Sequence, residues 1–70
     1  MILVIDFLFM REMEAFIKVV EEHPIYKVRI IEKKYIPHND GVEPSGAVTI
    51  DIDDPVWLMH IGMRLQTTPF

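Results

Sequence analysis

Seventy residues, 50% apolar and 26% charged, with five prolines and three glycines, exclude a disordered tail, a collagen-like chain and a low-complexity linker. No cysteine is present, which removes a disulfide scaffold, a thiolate zinc site and a cysteine nucleophile together. Eleven acids against seven bases leave a formal net charge of −4, so long-range attraction to nucleic acid is weak. A chain of this length forms one domain, residues 1–70, and hides only about 60% of its unfolded surface. Its apolar half therefore exceeds what one copy covers, and a homodimer or larger assembly is expected.

Nine of the first ten residues are apolar, Asp6 being the exception. A basic region before the run and a small-residue cleavage site after it are both missing, so it does not read as a secretory signal. Ten residues are also short of the roughly 20 that a helix needs to cross a bilayer. A cytoplasmic protein with a buried N-terminus and no membrane partner is expected.

Met1 to Ile5 is rich in β-branched residues and predicts a strand buried on both faces. Ile2, Ile5, Phe9, Met13, Phe16 and Val20 also fit one continuous helix, but Ile-Leu-Val-Ile favours a pleated surface. Asp6 then caps a helix, with Ile5 and Met10 at the staple positions. Phe9, Met13, Phe16, Ile17 and Val20 give it an apolar face. Arg11, Glu12, Glu14, Lys18, Glu21 and Glu22 supply most of the other, with Glu14 and Lys18 ordered for an ion pair. His23-Pro24 stops the helix.

Residues 25 to 36 read as a strand in which Tyr26, Val28 and Ile30 alternate with Lys27 and Arg29. The slip at Ile30-Ile31 suggests a bulge. Pro37 to Gly46 is a turn-rich connection containing Asn39-Asp40-Gly41. Ala47 to Ile52 alternates cleanly, with Val48, Ile50 and Ile52 on one face. An antiparallel hairpin that pairs Ile30 with Ile52 sets Arg29 opposite Asp53 and Lys33 opposite Thr49, which partly cancels the basic and acidic patches. Asp53-Asp54-Pro55 starts a second helix. Leu58, Ile61 and Leu65 form its core stripe, widened by Val56, Met59 and Met63. Trp57, His60 and Arg64 form another stripe, and Gly62 marks a close packing contact. The tail from Gln66 to Phe70 is too polar and short to assign.

The order is β-α-β-β-α. A right-handed crossover joins the first two strands, the hairpin extends the sheet, and two helices cover one face of three strands. The fold class is α+β, a two-layer sandwich. By topology it resembles a ferredoxin-like unit lacking its last strand. A missing edge strand gives a second, independent reason to expect a homodimer.

Chemistry is sparse. His38, Asp40, Asp51, Asp53 and Asp54 form the one carboxylate and histidine group, with Asp51 and Asp53 on one face of a strand. A metal-dependent enzyme built on Asp51 and Asp53 is the weakest alternative, because no spacing matches a known metal motif and each residue has a structural job. His23, His38 and His60 are not at helical pair spacing, and the one serine, Ser45, lacks a nucleophile-elbow context. The glycines form no phosphate loop. No metal, cofactor or catalytic residue is expected.

A nucleic-acid module is the stronger alternative. It would use Lys27, Arg29, Lys33 and Lys34, with Tyr26 and Tyr35 for stacking. The two tyrosines have opposite parity, so only the bulge would bring them to one face. The favoured function is a non-enzymatic protein–protein interaction or regulatory domain, acting as a homo-oligomer or bound to a larger partner. Trp57 and Arg64, with His60, are the expected contact residues, followed by Ile31 and Tyr35 on the open sheet face. The competing role for Trp57 is simple core packing.

Overall fold

The computed structural model describes residues 1–38 and 41–67. Asn39 and Asp40, in the expected turn, and residues 68–70 of the tail lie outside the described residues. The N-terminal apolar run is a strand, β1 (Ile2–Phe7), and not the start of a long helix. Its alternation is regular: Leu3, Ile5 and Phe7 pack against the core, while Ile2, Val4 and Asp6 are exposed. The strand continues past Ile5, so Asp6 lies inside it and caps nothing. Helix α1 (Met10–Glu22) starts instead from Phe9, in extended geometry and without a side-chain cap. The Pro44 carbonyl accepts the Met10 N–H at 2.8 Å, supplying from across the fold one partner that a free helix end lacks.

Helix α1 buries Met13, Phe16, Ile17, Val19 and Val20. Its Lys18 pairs with Glu22 at 4.0 Å, not with Glu14. The helix stops before His23-Pro24 as expected, but the following strand does not begin at residue 25. Pro24–Tyr26 form a short 3-10 helix, and Lys27 takes a left-handed φ of 54°. Tyr26 therefore enters the core, and strand β2 (Arg29–Ile36) begins three residues later.

Strand β3 (Ser45–Asp51) is the centre of the sheet, in the order β1-β3-β2. It runs antiparallel to both neighbours, so β1 and β2 are parallel to each other. The hairpin thus inserts β3 between the two strands joined by α1, a split β-α-β arrangement, and does not extend the sheet outward. The middle position suits β3 because both its faces tolerate cover. Val48, Ile50 and the adjoining Ile52 are fully buried, and the alternate residues Ala47 and Thr49 are small.

The register differs from expectation. Ile30 pairs with Ile50 and Arg29 with Asp51, and the shift between Ile30 and Glu32 is the expected bulge at Ile31. Ile52 lies one residue past the end of β3, where its N–H donates to the Met1 carbonyl at 2.9 Å. Lys33 consequently faces Val48, not Thr49.

Helix α2 (Val56–Thr67) starts where Asp54-Pro55 predicts, with the Val56 N–H donating to Asp54 Oδ1 at 3.0 Å. Ile61 is fully buried and joins the α1 residues with Val48, Ile50 and Ile52 in one cluster, with Trp57, Leu58 and Leu65 packed around it. Both helices therefore cover the same face of the sheet, giving the expected two-layer α+β sandwich. Val56, Met59 and Met63 do not widen the core stripe: they are 43%, 60% and 60% exposed. At about 100° per residue they point away from Ile61. Gly62 marks no close contact either, since a Cβ there would meet nothing within 4 Å. No helix among the described residues is long and apolar enough to cross a membrane.

Candidate functional site

The Trp57, His60 and Arg64 stripe is assembled around a residue the sequence places elsewhere. Because Pro24 turns the chain inward, the Tyr26 ring lies 5.4 Å from Trp57 and 5.9 Å from His23. Trp57 in turn lies 5.3 Å from His60. Arg64 Nε donates to the Tyr26 hydroxyl at 3.0 Å, satisfying the polar tip of a buried ring. Trp57 is half-buried, His60 and Arg64 are exposed, and a shallow cavity of about 330 Å³ opens between Tyr26, His60, Met63 and Arg64. Trp57 is thus partly core, and the surface it borders continues over Met63 toward Met59 and Val56. Those three were legible as apolar residues at helical spacing; what local sequence lacks is the side of α2 that the core covers.

The other face of the sheet is open. Ile2 and Val4 of β1 point there, as do the β3 residues Ala47, Thr49 and Asp51. The β2 residues opposite those positions are Arg29, Glu32 and Lys34. The expected basic cluster is dispersed by this register. Arg29 is held at 3.1 Å by Asp51, and Glu32 separates it from Lys34. Lys33 lies opposite Val48 on the helix side, and Lys27 lies before the strand. Tyr35 pairs with Gly46, which places it on the helix side and not on the open face, although it is 52% exposed. Ile31 is exposed at the bulge. With Tyr26 buried, the two tyrosines do not meet.

The carboxylate group is also divided. Asp51 receives the Met1 amine at 3.2 Å and the Arg29 guanidinium at 3.1 Å. The amine hydrogen bond, opposed by partial desolvation and aided by the charges of the amine and Arg29, lowers its pKa. Asp53 lies beyond the end of β3, so the two do not share a strand face, and Asp54 caps α2. No group of three His, Cys, Asp or Glu among the described residues is placed to hold a metal.

The fold does bring His38 to Ser45, at 2.9 Å between Nε2 and Oγ. A separation of seven positions hides this pairing from local pattern. It is an exposed hydrogen bond that closes the base of the β2–β3 connection. Asp40, two positions from His38, lies outside the described residues.

Compared with known proteins, the chain matches no family model, no curated protein and no solved structure.

Proposed function

We propose that this chain is a small cytoplasmic protein–protein interaction or regulatory domain, working as a homo-oligomer or bound to a larger partner. The observation that supports this is α2, a helix apolar on two sides with only one side covered. Ile61, Leu58 and Leu65 pack inward, while Val56, Met59 and Met63 form a second stripe facing solvent. Large apolar side chains grouped on one exposed surface mark an interaction site more often than scattered ones do. Methionines suit a docking stripe, because their unbranched side chains adapt to a partner's contour. Trp57, His60 and Arg64 border that stripe and supply the aromatic and guanidinium groups enriched at contact hot spots.

The test is native mass spectrometry of the protein purified from its own host, beside the double variant Met59→Glu/Met63→Glu. The wild type is expected as a complex, and the variant as a smaller species that has lost the chain bound at α2, with unchanged circular dichroism. A bare wild-type monomer, or a complex indifferent to both charges, would overturn the assignment of this stripe. Trp57→Ala is the poorer probe, since removing a ring packed on Tyr26 destabilises the fold itself.

A further inference from the structure

The two edges of the sheet differ. Along β2 the ladder is broken by the bulge at Ile31, and the strand carries Lys33 and Lys34, devices that keep an edge from pairing. Along β1 there is no bulge through six paired positions, no proline and one charge, Asp6. Met1 and Ile52 exchange backbone hydrogen bonds at 2.9 Å in each direction. Antiparallel alternation then turns the N–H and C=O groups of Leu3, Ile5 and Phe7 toward β3, and those of Ile2, Val4 and Asp6 outward. The outward row is unguarded.

We propose that β1 is the seat of a second copy of this chain, paired antiparallel about a two-fold axis at Val4. This rests on the interaction reading above and names one partner and its register. Centring on Val4 matches Ile2 to Asp6 of the other copy, Val4 to Val4, and Asp6 to Ile2, so every outward group on both strands finds a partner. A centre at Leu3 or Ile5 pairs only two of the three outward residues. Parity is preserved as well. Leu3 meets Ile5 of the other copy on the helix side, where both are only half-buried now, and Ile2 and Val4 stay on the open face.

Charge selects the same arrangement. Two parallel copies of β1 would hold their Asp6 side chains about 5 Å apart. The two-fold at Val4 separates them by more than about 13 Å, beyond the screening length at physiological salt. Two three-stranded sheets become one continuous sheet, and the only edges left are the guarded β2 strands.

The chain has no cysteine, so a single introduced thiol reports cleanly. Val4→Cys should form a covalent dimer on mild oxidation, because a hydrogen-bonded antiparallel pair has its Cα atoms about 5.5 Å apart, within disulfide reach. Thr49→Cys, on the same open face but in the central strand, should not. Val4→Pro removes an N–H that points away from β3, so it should convert the dimer to monomer in native mass spectra with unchanged circular dichroism.

Cross-linking of Thr49→Cys in place of Val4→Cys would mean that the open faces stack, and would overturn the edge assignment while leaving self-association standing. A wild-type complex with a different chain, lost in Val4→Pro, would overturn the second copy as occupant. A wild-type monomer at high concentration would overturn the dimer and leave the α2 stripe to its own test.

Discussion

A Cβ at residue 46 would lie 2.7 Å from the Met13 sulfur and 3.2 Å from the Lys34 carbonyl oxygen. Met13 is fully buried, so its flexible end has little room to retreat. Gly46 is thus the point where α1 presses on the sheet, and the requirement is space, not backbone conformation. Gly46→Ala should destabilise by about 1–3 kcal/mol in urea unfolding through overpacking. A second residue-scale test concerns pH. Asp51 has a lowered pKa in the folded state, so its contribution is present above the ordinary carboxylate value of about 4 and disappears as pH falls through the lower folded value. Asp51→Asn should be less stable than wild type at neutral pH. Thermal melts across the acid range should show that gap closing below about pH 4.

At the scale of elements, α2 is the least economical part of the fold. It carries a glycine in mid-helix, with nothing within 4 Å of where a methyl group would stand, and leaves three large apolar side chains in water. Gly62→Ala should therefore stabilise, by about 0.5–1 kcal/mol, because it restricts the unfolded chain and meets no obstacle. Thermal unfolding decides this, and a destabilised variant would mean that the glycine serves a contact made outside this chain. Helix α1, by contrast, is amphipathic in the ordinary way: its covered face is Met13, Phe16, Ile17, Val19 and Val20, and its outer face is charged. The difference between the two helices is what directs attention to α2 as a contact element.

For the whole molecule, the balance is between a compact core and an apolar surface that the core does not absorb. Among the described residues, ten hydrophobic ones form the buried cluster, yet Ile2, Val4, Met59 and Met63 are each 58–65% exposed. They lie on two separate surfaces, the β1 strand and the outer side of α2. Association at either one is linked to folding by mass action, so the melting temperature should rise with protein concentration. Differential scanning calorimetry over about a hundredfold range of concentration checks this; an invariant midpoint would mean that the folded chain does not self-associate.

Sequence by itself determined the order of the three strands and the two α-helices. Period-two alternation in residues 47–52, the 3.6-residue period of α1, the stop at His23-Pro24 and the start at Asp54-Pro55 are local properties, carried by neighbouring residues. The bulge at Ile31 was legible for the same reason. The errors fall where partners are distant in the chain. Asp6 had the chemistry of a cap, but pairing of β1 with β3 kept it in a strand. Tyr26 had the alternation of a strand residue, but a 3-10 helix delivered it to Trp57 and Arg64, more than thirty positions away. Only the tertiary structure decided that β3 lies between β1 and β2, which side of α2 is covered, and which sheet edge is left unguarded. Each depends on what packs against a surface, and a periodic pattern records that a face is apolar without recording what covers it.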